Sequence, residues 1–93
     1  MSYSLIFTDS YKKRAKCFAR QHPELKESYR KTLLLLVKNP YHPSLRLHPL
    51  KGKLAALYSV SINLSYRITL EMIITEKEIV LVNVGSHDEV YQP

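Results

Sequence analysis

The chain has one cysteine, two glycines, few acidic residues and no long apolar run, and each shortage excludes something. Cys17 alone cannot form an internal disulfide or a multi-cysteine zinc site, and a lone thiol suits a reducing cytosol. It is expected as a small packed side chain in a helix. With only Gly52 and Gly85, flexible glycine-rich linkers are excluded. The longest apolar run, LLLLV from Leu33 to Val37, is far below a membrane span. The opening MSYSLIF lacks a basic start and is too short for a secretion signal, so a soluble cytoplasmic protein is expected. Eight Asp and Glu stand against fourteen Lys and Arg, a net charge of +6. That excess favours a polyanionic partner, nucleic acid or an acidic protein segment, and a merely solvated basic surface is an equal alternative.

What is present points to one domain spanning residues 1–93, 45% hydrophobic and 24% charged, which excludes disorder. At this length a domain buries roughly 60–65% of its unfolded surface and needs one well-formed core. Residues 3–7, YSLIF, read as a strand, and Thr8 to Ser10 offer N-caps for a helix. Tyr11, Ala15 and Phe18 form its apolar stripe, with Lys12, Lys16 and Arg20 on another face. His22-Pro23 stops this helix and starts a second, whose stripe is Leu25, Tyr29, Leu33 and Leu36, with Glu27 and Lys31 four apart. Asn39-Pro40 ends it, and so tight a connection predicts an antiparallel helix hairpin. YHPSLRLHPLKGK reads as a loop.

From Leu54 the hydrophobic period becomes two. Tyr58, Val60 and Ile62 alternate with Ser59 and Ser61; Tyr66, Ile68, Leu70 and Met72 alternate with Arg67, Thr69 and Glu71. IVLVNV is apolar on both sides, as an interior strand is. The expectation is an α+β fold: an N-terminal strand, the helix hairpin, then a three-stranded antiparallel meander completing one sheet packed on the helices. The other sheet face should be polar and open, carrying Ser59, Ser61, Arg67, Thr69 and Asn83. The last strand then delivers Ser86, His87, Asp88, Glu89 and Tyr91 to its rim.

No two of the four histidines have helical metal-ligand spacing, and nucleophile-elbow, phosphate-loop and dinucleotide motifs are missing, so no metal or cofactor is expected. RNA cleavage without metal needs only a base for the 2′-hydroxyl, a cation for the phosphorane and an acid for the departing 5′-oxygen. His87 titrates near neutrality and suits base or acid. Arg67 offers a donor fork for phosphate, Lys51 and Lys53 precede the meander as holders of flanking phosphates, and Tyr91 suits stacking. On residue types alone, surface hydrogen bonding by His87 and tail packing by Tyr91 remain the simpler alternative.

Three pieces change that balance. HPLKGKL resembles the His-x-Leu-x-Gly entry to the sheet in the RelE/ParE superfamily of toxins from toxin–antitoxin modules. SYRITLEM resembles its recurrent Tyr-Arg-aliphatic strand, and VNVGSHDEVY its terminal Gly-(Ser/Thr)-His…(Phe/Tyr) segment, most like the YafQ-like and RelE/StbE-type branches. The resemblance implies a RelE-like fold and an endoribonuclease that cleaves messenger RNA on the ribosome, blocked by a cognate antitoxin, here an acidic, wrapping one. It implies catalytic roles for His87, Arg67, His48 and Tyr91, and phosphate binding by Lys51, Lys53 and Arg67. The family's second histidine and its turn aspartate are replaced by Ser61 and Ser65, and its strand aromatic by Leu54. A serine is a poor acid or base at neutral pH, so His48 or a lysine must take the second role if the chemistry is intact. The alternatives are a ParE-like toxin acting on DNA gyrase and a decayed module that only binds antitoxin.

Overall fold

The computed structural model describes residues 2–52 and 56–86. Strand β1 (Ser4–Phe7) leads into helix α1 (Asp9–Gln21), a single 3-10 turn (Pro23–Leu25) and helix α2 (Lys26–Lys38). Then come β2 (His48–Pro49), β3 (Tyr58–Ser61), β4 (Tyr66–Ile73) and β5 (Glu78–Ser86). They form one sheet in the order β1-β5-β4-β3-β2, antiparallel except for the parallel β1–β5 pair. The expected helix hairpin and antiparallel meander are therefore present, with β5 interior as its two-sided apolar pattern requires.

Thr8 explains where α1 starts. Its hydroxyl oxygen accepts the Tyr11 N–H at 3.2 Å, and the same hydroxyl donates to the Leu81 carbonyl at 3.1 Å, fastening the helix cap to β5. Asp9 in the first turn and Arg20 in the last complement the helix dipole. Thr8→Ala removes both bonds and is expected to cost about 1–2 kcal/mol, measured as a lower urea midpoint at unchanged slope.

Tyr11 and Phe18 supply the buried face of α1, and Leu36 that of α2, packing on Val60, Ile68, Leu70, Ile79, Leu81 and Val84 of the sheet. Thr32 is also buried, one turn before Leu36 on the same face; its hydroxyl donates to the Ser28 carbonyl at 2.8 Å, one turn back, which satisfies it within the helix. Leu25, Tyr29 and Leu33 are only half-buried. Three expectations need correction. Pro23 opens the 3-10 turn, and α2 begins three residues later. The segment after α2 is ordered: the turn Pro43–Leu45 plants Leu45 in the core, and His48–Pro49 adds an edge to the sheet. Cys17 is exposed, because it adjoins Phe18 and so lies off the stripe that Phe18 buries.

The Tyr11 and Tyr29 hydroxyls lie 2.7 Å apart and join the two helices. Burial, reinforced by the neighbouring Tyr29, pushes the Tyr11 hydroxyl far above its ordinary range; burial also raises Tyr29, and its bond to Tyr11 offsets part of that. A raised folded-state value means that the neutral hydroxyl stabilises fully below the unfolded pKa of about 10 and less as pH climbs above it. Above pH 10 the Tyr11 contribution should decline by about 1.4 kcal/mol per pH unit. Urea unfolding of wild type and Tyr11→Phe from pH 8 to 11 should show a stability gap that narrows above pH 10. A constant gap would mean that the Tyr11 hydroxyl ionises as easily folded as unfolded.

Candidate active site

Strand register places the polar residues in two rows. Ser61 lies opposite Arg67, and Arg67 opposite Gly85; the next row runs His48, Ser59, Thr69, Asn83 across four strands. Direct partners and every second residue share a face, so both rows lie on the face turned away from Val60 and Ile68. The expected open surface is not what this face offers. Ser59 and Thr69 are fully buried and Ser61 is only 9% exposed. These short hydroxyl side chains sit on interior strands, flanked in their rows by the longer, part-exposed His48, Arg67 and Asn83.

Arg67 is the unusual member. Its Nε and Nη1 are buried without a hydrogen-bond partner, and so are the hydroxyls of Ser61 and Thr69. Leaving one buried donor unmet costs roughly 1–3 kcal/mol, and more when it is charged. Gly85, directly opposite on β5, contributes no side chain to answer the guanidinium. An anion with several acceptor oxygens could answer Arg67 and Ser61 together.

Arg67 and Ser61 line an open groove of about 260 Å³ with Ser44, Arg46, Ile62, Asn63 and Leu64. The turn between β3 and β4 is held by Asn63, whose carboxamide oxygen accepts the Ser65 and Tyr66 N–H groups, both at 2.9 Å. That grip leaves Ser65 and Leu64 in solvent. Arg46 follows the Pro43–Leu45 turn in the left-handed region, φ 51°, a conformation that a non-glycine residue adopts rarely. Its carbonyl accepts from His48 Nδ1 at 3.1 Å. A carbonyl can only accept, so Nδ1 carries the proton and the neutral ring has its lone pair on Nε2.

Of the residues proposed from sequence, Arg67 is in the groove and His48 is on the same face, two strands away, roughly 10 Å across the sheet. Lys51 is exposed in the segment after β2, where Gly52 takes φ +68° to turn the chain. Lys53, His87 and Tyr91 lie outside the described residues, as does Leu54. β5 is followed to Ser86, opposite Tyr66 and beside Arg67 in sequence register. Arg46 and Ser44 were not anticipated, because nothing in RLHP reveals the left-handed turn that sets them beside Arg67. Among the described residues no cluster of His, Cys, Asp or Glu suits a metal ion, and no helix is long and apolar enough to cross a membrane.

The charge is unevenly spread. Residues 9–38, the helix hairpin, hold nine Lys and Arg against three Asp and Glu, so the entire +6 resides there. The rest of the chain has five of each sign.

No family model matches the sequence, and no curated protein matches it. Solved structures do match, over nearly the whole chain. YafQ from E. coli strain BL21(DE3) has a TM-score of 0.79 at 13% identity, covering 97% of this chain and 99% of that one. The E. coli DinJ-YafQ toxin-antitoxin complex gives 0.78 at 15%, covering 99% and 100%. A YoeB/ParE toxin from Agrobacterium tumefaciens gives 0.72 at 19%, covering 90% and 98%. Two helices against a five-stranded sheet, with Arg67 at the end of the interior strands, make this the fold of the RelE/ParE-like toxins, with YafQ among its structural relatives.

Proposed function

We propose that this chain is the toxin of a type II toxin–antitoxin module, a metal-independent endoribonuclease that cleaves messenger RNA on the ribosome in the cytoplasm. The observation that carries this reading is Arg67, whose buried Nε and Nη1 have no partner, beside Ser61 on β3 and opposite Gly85 on β5, the strand that leads in sequence to His87. In the reaction a base removes the 2′-hydroxyl proton and the 2′-oxygen attacks phosphorus. The bond from phosphorus to the 5′-oxygen breaks, and an acid protonates the leaving oxygen. Arg67 stabilises the charge that builds on the phosphorane oxygens. His87 and His48 are the proton-transfer pair, His48 through Nε2; Tyr91 stacks on a base, and Lys51 and Lys53 hold flanking phosphates. Ser61 takes no proton-transfer role and serves as a donor to the phosphate. The partner is an antitoxin whose acidic segment lies over the basic helix hairpin, a reading supported by the location of the net charge and by the fold shared with the DinJ-YafQ complex.

Primer-extension mapping of a translated messenger RNA in a cell-free system tests this. Wild type should cut, and His87→Ala and Arg67→Ala should not. Cuts that persist in His87→Ala would shift the chemistry to Lys51, Lys53, Arg67 and Tyr91. A folded wild type that makes no cuts would reject the nuclease assignment, and DNA gyrase would be the next target.

A further inference from the structure

We infer that the Arg67 groove continues into a second nucleotide subsite built by α2 and the Pro43–Leu45 turn, so that the protein holds a single RNA strand bent around the end of β3. The inference rests on the nuclease reading and specifies its substrate contacts. A second groove of about 190 Å³ is lined by Ser28, Lys31, Thr32, Leu35, Ser44, Leu45, Ser61 and Ile62. It shares Ser44, Ser61 and Ile62 with the Arg67 groove, so the two adjoin. Ser61 is the hinge: its side chain is nine-tenths buried, its hydroxyl has no partner, and it borders both.

The order of groups along this path is what selects the ligand. Arg67 and Arg46 stand at one end, the hydroxyls of Ser61 and Ser44 in the middle, and Lys31 at the other. Cations separated by small hydroxyl groups match the phosphate–sugar–phosphate repeat of a nucleic-acid strand. Neither groove alone is as large as a usual small-molecule pocket, and both are open, as suits one strand passing through. Ile62 and the solvent-exposed Leu64 offer apolar surface beside the Arg67 end, where a splayed base would rest. No acidic side chain lines either groove among the described residues.

The test is fluorescence anisotropy of a labelled 2′-O-methyl trinucleotide, which cannot be cleaved, with the full chain and with inorganic phosphate as competitor. Lys31→Ala and Arg46→Asn, the latter chosen because asparagine tolerates the left-handed backbone, should each weaken trinucleotide binding by about tenfold. Competition by phosphate, which needs only the Arg67 end, should weaken in Arg67→Ala and stay unchanged in Lys31→Ala. A change of less than twofold in Lys31→Ala, with Arg67→Ala still impaired, would overturn the second subsite and leave the nuclease site standing. An equal loss in Lys12→Ala, on α1, would reduce the effect to overall charge and overturn it too. If Lys31→Ala weakens binding of a hexaglutamate peptide but not of the trinucleotide, the groove is a peptide site and the inference fails. Unimpaired trinucleotide binding in Arg67→Ala would count against the active site itself.

Discussion

Arg67→Ala is expected to lose about 10²–10³ in cleavage rate while folding at least as well as wild type. These two effects seldom occur together. Most buried arginines answer a carboxylate, so that truncation leaves an uncompensated charge and destabilises the fold. Arg67 makes no ion pair with the described residues, and its Nε and Nη1 are already unmet. Removing them takes away a penalty, and stability should stay level or rise by about 1 kcal/mol. Arg67→Lys keeps the charge but lacks the planar fork, and should recover no more than about tenfold of the lost rate. Single-turnover cleavage and urea unfolding on the same three proteins give both readouts. Unfolding of Arg67→Ala would show instead that the guanidinium serves the fold.

The largest loss of stability should come from Leu81→Ala. Leu81 is fully buried in the interior strand β5, opposite Leu70 on β4 and beside Phe7 on β1, and its carbonyl receives the Thr8 hydroxyl. The side chain thus packs where both sheet neighbours and α1 meet. A Leu→Ala change at such a position costs about 2–5 kcal/mol through lost burial and the cavity left behind. For a chain of this length total stability is only about 5–14 kcal/mol. The melting temperature should fall by about 10–30 °C, read by circular dichroism. A fall below 5 °C would mean that α1 collapses into the space.

Much of this architecture is legible in the sequence because its signals are local. Thr8 caps, Tyr11 and Phe18 recur at helical spacing, and Val60, Ile68 and Leu70 alternate along strands; each expectation matches the structure. The missed features depend on contacts between distant residues. No pattern around Pro43 reveals that Leu45 reaches the core, and a two-residue strand at His48–Pro49 exists only because β3 pairs with it. The site divides in the same way. Arg67 could be singled out from its motif, but its burial without a partner depends on Ser61 and Gly85 arriving on either side. Lys31, twenty-five residues or more before β3, carried only a helical pairing with Glu27 in the sequence and gained its place beside Ser61 through the fold.

One irregularity in β5 has a bearing on how this chain can change length. Thr69 pairs with Asn83 but Leu70 with Leu81, so Val82 is an extra residue, a bulge. The bulge resets the alternation: Ile79 and Leu81 face the core before it, and Val84 after it. Loss of that single residue would keep the composition and the strand signals almost intact. It would also leave Leu81 and Val84 on the core side and Asn83 and Gly85 on the Arg67 side, because without Val82 the strand alternates regularly opposite Leu70 and Thr69. The bulge is therefore where β5 can lose a residue without changing the frame of the groove. A single deletion between the bulge and Ser86 would instead turn the residues beyond it to the other face, whereas the turn at Ile74–Glu76, outside any such frame, can absorb single insertions.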